Sequence, residues 1–189
     1  MARVRSIPSS ELPADLAAVY EQYATQYGPF RNQVAVLAHV PAALHHLTSM
    51  LLELRAAATL PKRYLEIAIV VVSQLNECHY CVAHHKPALV VEGLSPEGVD
   101  RIRDYENHPE LDETDRLVVR WAEAVTVDPH RIRDALFDAL REKFTEAQIV
   151  ELTLRTALTT FFNRFNDVLQ IEDDEAAHAE PAAGEPAHA

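Results

Sequence analysis

The segment from Pro61 to Leu75, PKRYLEIAIVVVSQL, has no glycine, no internal turn signal and, past Arg63, a single charged side chain, Glu66. Ile67 to Val72 is a β-branched run broken only by Ala68, and propensity alone favours a strand there. Length decides otherwise. Some fifteen residues without a turn signal, and no second strand elsewhere to pair with, specify a helix. A helix that is apolar all round is a buried one. This is the central helix of the chain.

The rest reads as helices too. Glu11 to Gln26 carries Leu12, Leu16, Val19, Tyr20 and Tyr23 at helical spacing and stops at Gly28-Pro29. Pro41 suits the first turn of a helix with Leu44, Leu47, Leu51 and Leu54 on one side. Asn76 interrupts the central helix and is expected to cap the next, which runs to Glu92 before Gly93. Ser95-Pro96-Glu97 opens a further helix, and Asp112 with Asp115 another that turns Leu117, Val118, Trp121, Ala122 and Val125 inward. Residues 130–141 make a shorter helix. Thr145 with Gln148 is a capping box at the head of a long helix expected to bury Ile149, Leu152, Phe161, Phe165 and Leu169. No internal repeat is present, so a solenoid is unsupported. The expected fold is an all-α, single-domain bundle of about seven to eight helices.

Composition removes several function classes. Hydrophobic residues make up 48% of the 189, enough for a sizeable core, and the net charge of −12 argues against a nucleic-acid surface. Four glycines, none in a phosphate-cradling loop, disfavour the common nucleotide enzymes. No apolar run reaches the ~18 residues of a spanning helix and no secretory signal is visible, so no membrane role and a cytoplasmic location are expected. The chain divides into an N-terminal arm (1–10), a helical domain (11–171) and an acidic Ala/Pro-rich tail (172–189). That tail holds six of the acidic residues and no Lys or Arg, and is read as flexible.

Both cysteines fall in one motif, Cys78-His79-Tyr80-Cys81, followed by His84 and His85. In a reducing compartment such a pair is redox-active or metal-binding more often than a structural staple. Residues at i and i+3 on a helix stand ~5–6 Å apart at Cβ, and a first turn can tighten enough to let them close a disulfide. Unpaired N–H groups at a helix start stabilise a thiolate. His85, four residues beyond Cys81, shares its face and can exchange a proton with it. His79, inside the pair, adds to the same effect when protonated. Glu66 is costly to bury in the apolar helix unless something holds or uses it, and it suits a proton relay; a neighbouring Arg or another subunit is the plainer account. A zinc site at Cys78, Cys81, His84 and His85 is disfavoured, because adjacent histidines diverge by about 100° on a helix. Asn163, Arg164 and Asn166, set among phenylalanines, read as a buried hydrogen-bond network or subunit contact.

With Cys78 twelve positions after Glu66 and His85 four after Cys81, the arrangement resembles the active-site signature of the alkylhydroperoxidase D-like proteins of the carboxymuconolactone decarboxylase superfamily. The resemblance extends to residues 33–60, LSPEGVDRI, LDETDRLVVRWAEAV, FTEAQIVELTL and FFNRFNDVLQI, and so to residues 10–171. It implies an alkyl hydroperoxide reductase or disulfide oxidoreductase, an antioxidant enzyme. Cys81 would attack the peroxide, Cys78 would resolve it to a disulfide, and His85 and Glu66 would relay the proton. Dipole reasoning alone favours Cys78 as the more acidic thiol, so the two arguments differ. Tyr80 stands where some members carry an assisting His; His79, Tyr80 and His84 are auxiliary candidates.

The resemblance also implies an organic hydroperoxide as substrate, an external dithiol or a peroxiredoxin as redox partner, and a homotrimer or hexamer. No bound cofactor or metal is expected, since sulfur carries the two electrons. Two alternatives remain. One is a cofactor-free lyase or isomerase of the decarboxylase type acting through Glu66 and His85. The other is a non-catalytic redox-sensing module.

Overall fold

The computed structural model describes residues 2–174. It contains nine α-helices and no strand among those residues: α1 (Ala14–Gln22), α2 (Arg31–Leu37), α3 (Pro41–Ala57), α4 (Lys62–Leu75), α5 (His79–Val91), α6 (Pro96–Asp100), α7 (Glu113–Val127), α8 (Asp134–Lys143) and α9 (Glu146–Leu169). The all-α expectation holds. One short helix, α2, brings the number to nine; it lies between Gly28-Pro29 and Pro41, too close to turn signals for its period to stand out.

The long apolar segment is α4, and it is central. Every residue from Glu66 to Ser73 is buried, because α7, α5 and α9 pack around it. One core cluster joins Ile67, Val70, Val71 and Val72 to Leu117, Val118, Trp121 and Ala122 of α7 and to Ile149 and Leu152 of α9. A second joins Tyr20, Tyr23 and Phe30 to Val34, Leu44, Leu51, Cys78, Tyr80 and Cys81. Both cysteines thus belong to the second core, on the side of α4 and α5 that the N-terminal helices cover.

Caps fix the ends where the sequence signals them. Ser95 accepts from Gly98 N, while Asp112 with Asp115 and Thr145 with Gln148 form reciprocal capping boxes. Gly93 adopts φ 102° after α5, a conformation open to glycine. Arg63 Nη2 reaches Asp115 Oδ2 at 2.6 Å, fastening the start of α4 to the start of α7.

Three expectations need correcting. Asn76 does not cap α5; Cys78 holds that position, and Asn76 ends α4, its side chain donating to Asn163 Oδ1 at 2.9 Å. Phe161 is not buried: it is 45% exposed, because Asn163 and Asn166 take the inner face of α9. The helix expected from Glu11 to Gln26 is α-helical only over Ala14–Gln22, after a 3-10 turn at Ser9–Glu11, and continues as a π-helical turn over Tyr23–Tyr27. The arm lies along the body, with Arg3 N donating to Leu169 O and Ile7 N to Ala35 O. Of the segment read as tail, residues 172–174 pack on the body, where Asp174 is buried; residues 175–189 lie outside the described residues. No described helix is long and apolar enough to cross a membrane.

Candidate active site

The site is built by one sharp reversal. Between α4 and α5 only Asn76, Glu77 and the capping Cys78 are non-helical, with Glu77 at φ 56° and Cys78 N donating to Ser73 O at 2.9 Å. Two helices folded back this tightly bring into register residues equally far from the turn. Glu66 lies ten residues before Asn76 and His85 nine after it, which at ~1.5 Å per residue places them at one level. His85 Nδ1 and Glu66 Oε2 are 2.8 Å apart, and both side chains are largely buried. The sequence spacing of Glu66 and His85 is therefore the geometry of an antiparallel pair.

Cys78 and Cys81 are free and buried, with Sγ atoms 3.1 Å apart and Cys78 as donor. A bond of about 2.05 Å requires ~1 Å of closure. Helix α9 supplies the opposite wall. Asn166 Nδ2 donates to Cys81 Sγ at 3.2 Å, and Asn166 Oδ1 accepts from Gln33 Nε2 at 3.0 Å. Behind it, Asn163 Nδ2 donates to Ser73 Oγ at 3.1 Å.

These donors separate the two thiols. Cys81 is drawn down to about 7, first by the hydrogen bond from Cys78, then by the His85 charge and the Asn163 and Asn166 amides, against the opposing effect of burial. Cys78 moves up, because it is the donor in that bond and is buried beside the charge on Cys81. The two thiols thus shift in opposite directions, with Cys81, and not the Cys78 that dipole reasoning favours, the one moved down.

The auxiliary candidates part company. His79 is exposed and its side chain makes no hydrogen bond among the described residues. Tyr80 and His84 turn into a second buried cluster. There Asp174 Oδ2 accepts from Tyr80 Oη at 2.9 Å and lies 3.2 Å from His84 Nε2, while Asp174 Oδ1 accepts from Asn32 N at 3.0 Å. His84 Nδ1 faces Tyr80 O at 2.6 Å, so both ring nitrogens face oxygen atoms. Burial first, then Asp174, pushes the Tyr80 phenol well up, which keeps it a donor. Among the described residues no group of three or more His, Cys, Asp or Glu is disposed to hold a metal ion.

Two neighbouring hollows share Tyr27, Phe30, His85 and Arg155 in their walls. A narrow one of about 40 Å³ is walled by Cys81, His85, Tyr23, Tyr27, Phe30 and Arg155; Cys78 is not on its surface. A wider one of about 210 Å³ is walled by Glu66, His85, Arg55, Lys62 and again Tyr27, Phe30 and Arg155. Phe30 lies over both histidines, with ring centroids 5.2 Å from His84 and 5.3 Å from His85. Sequence reasoning reads Asn163, Arg164 and Asn166 as a buried network or subunit contact without tying it to the cysteines; Asn163 and Asn166 are buried, whereas Arg164 is exposed. It gave no role to Gln33, Arg155 or Asp174; polar residues on an otherwise apolar helix face were the available signal.

A helical hairpin that sets Cys-x-x-Cys against a Glu–His pair, inside an all-α bundle, defines the alkylhydroperoxidase D-like fold. Residues 41–124 match the model of the carboxymuconolactone decarboxylase family. Among curated proteins, the uncharacterized protein YnjA of Escherichia coli (strain K12) is 27% identical over 100 residues, 53% of this chain; the match spans 55% of that relative's length, about half. Among solved structures, an uncharacterized peroxidase-related protein from Ralstonia eutropha JMP134, described as an alkylhydroperoxidase AhpD core, superposes with a TM-score of 0.77 at 23% identity, covering 94% of each chain. A peroxidase-related protein from Silicibacter sp. TM1040 gives 0.80 at 22%, covering 95% of each. The debrominase Bmp8 gives 0.75 at 18%, covering 91% of this chain and 92% of its own. At these identities the structures establish the shared fold.

Proposed function

We propose that this protein is a dithiol hydroperoxide reductase. The observation that carries the proposal is the asymmetry of the cysteine pair: Cys81 alone faces the access hollow, receives hydrogen bonds from Cys78 and Asn166, and is the thiol held low. In the cycle, the Cys81 thiolate attacks one peroxide oxygen. The O–O bond breaks, and the alcohol leaves with a proton delivered by the Glu66–His85 pair. Cys81 is then a sulfenic acid. The sulfur of Cys78 attacks it, the S–S bond forms, the S–O bond breaks, and water leaves with the Cys78 proton. Two electrons have passed from the thiols to the peroxide. An external dithiol, itself becoming a disulfide, returns them by two exchange steps. The peroxidase-related neighbours support this reading at the level of the family. A lyase working through Glu66 and His85 alone leaves the lowered Cys81 thiol without a use.

Self-association belongs to the same proposal. Val150, Leu154, Phe161 and Val168 leave an exposed apolar stripe along α9, and we read it as the contact with further copies of the chain in a trimer or hexamer. Light scattering at micromolar concentration should give a multiple of the 21.2 kDa chain mass; a monomer contradicts it.

The test of activity is a thiol count on reduced, metal-free protein before and after one equivalent of an organic hydroperoxide. Two thiols per chain should be lost without cross-linking of chains in the wild type, and none through the pair in Cys81→Ser. Persistence of both wild-type thiols refutes the proposal.

A further inference from the structure

Arg155 lies in the middle of α9 with 4% of its surface exposed, and a guanidinium stays charged throughout the physiological range. Its Nη2 donates to the Tyr27 hydroxyl at 2.5 Å, but its buried Nη1 has no hydrogen-bond partner among the described residues. Among the described residues it has no ion-pair partner. Arg63 shows what this protein does with a comparable guanidinium that needs only to be held: Asp115, fully buried, meets it at 2.6 Å. Glu151, one turn before Arg155, makes no ion pair with it among the described residues; burial moves its carboxyl up and the Arg155 charge opposes that. An unpaired buried charge is expensive to keep.

The location gives the charge a use. Arg155 walls both hollows, the one holding Cys81 and the one holding Glu66 and His85. The wider hollow adds two exposed cations, Arg55 and Lys62, and its single carboxylate, Glu66, is already engaged by His85. The guanidinium groups of Arg55 and Arg155 both lie over the Tyr27 ring, 5.8 and 5.7 Å from its centroid. Lys62 has only a loose partner, Glu92 at 3.5 Å. Within a chain of net charge −12, this hollow concentrates positive charge.

We propose that the substrate carries a carboxylate, which docks on Arg155 with Arg55 and Lys62 flanking it, while the reactive end points at Cys81. On the dithiol reading above, on which this inference rests, the substrate class is a small organic hydroperoxide acid. The bonds made and broken are those already given; only the other end of the peroxide is specified. Bidentate geometry favours arginine over lysine at the inner position.

Cumene hydroperoxide and its ring-carboxylated analogue, matched in size, are compared as second-order rates of thiol oxidation on the full chain. The acid should react about tenfold faster or more, and Arg155→Gln should bring the acid-to-neutral ratio close to one, with Arg155→Lys between. Equal rates in the wild type, or a ratio that Arg155→Gln leaves unmoved, overturn the inference. Should neither peroxide oxidise the thiols, the dithiol reading fails, and calorimetry with benzoate decides the anion site by itself. Benzoate should bind the wild type and bind Arg155→Gln about tenfold more weakly; no binding, or equal binding, overturns it. Should Arg155→Gln fail to fold, Arg55→Gln and Lys62→Gln carry the test. Each should lower the ratio, or benzoate affinity, about two- to fivefold, and no change in both is decisive against.

Discussion

Asn166→Ala tests whether α9 helps to set the nucleophile. The Asn166 amide donates to Cys81 Sγ at 3.2 Å. Hydrogen bonds to charged groups contribute about 1.5–3 kcal/mol. At this length, to sulfur, the lower figure applies, and it corresponds to about one pKa unit. From a starting value of about 7, the thiolate fraction at neutral pH falls from about one half to about one tenth. Nucleophilicity rises with basicity, by about threefold per unit, so the variant is slower at low pH and no slower on the alkaline plateau. The assay is the rate of Cys81 alkylation by iodoacetamide between pH 5 and 10, with the site resolved by mass. The midpoint should move up by about one unit. Gln33, left without its acceptor, lowers stability by about 1–3 kcal/mol. Gln33→Leu therefore serves as the control, changing the melting temperature and not the midpoint. An unmoved midpoint, or a uniform fall in rate at every pH, refutes the reasoning.

Glu66→Gln and His85→Gln should both raise the Cys81 midpoint, since each weakens the charge that His85 places beside it, with His85→Gln the larger; normal reactivity at neutral pH in both removes them from the mechanism. Cys78→Ser keeps a donor beside Cys81 and should leave the alkylation rate within several-fold of wild type while abolishing disulfide formation, read as retained dithiothreitol-sensitive sulfenic acid. Asp174→Ala leaves Tyr80 Oη and His84 Nε2 without their acceptor. It should cost about 1–3 kcal/mol, or several degrees of melting temperature by calorimetry; an unchanged melting temperature shows that residues 172–174 do not hold the site closed.

The helices were legible wherever apolar period and capping chemistry agreed. Thr145 with Gln148 and Asp112 with Asp115 are stated in the sequence because a capping box is local. The α4 segment could be identified by length, since no strand partner exists. What stayed hidden is what distance in the chain hides. Phe161 and Asn163 are near neighbours on one helix, and hydropathy ranks the phenylalanine inward. The structure does the reverse, because the inner face of α9 meets Ser73, Asn76 and Cys81, where amides have partners. Asp174 looks like one more acid of a solvated tail until Asn32, Tyr80 and His84 are brought to it. Of the candidate site, the spacing of Glu66 and His85 about the Asn76 turn was readable, while the lack of an ion-pair partner for Arg155 among the described residues depends on tertiary packing.

The claim that Cys81 attacks and Cys78 resolves is tested most directly by intact-mass analysis of Cys78→Ser and Cys81→Ser after one equivalent of hydroperoxide. The account predicts that Cys78→Ser gains one oxygen atom, localised to Cys81 by fragmentation, and that Cys81→Ser gains none on the same timescale. Oxygen on Cys78 in the second variant, or on neither thiol in the first, contradicts it.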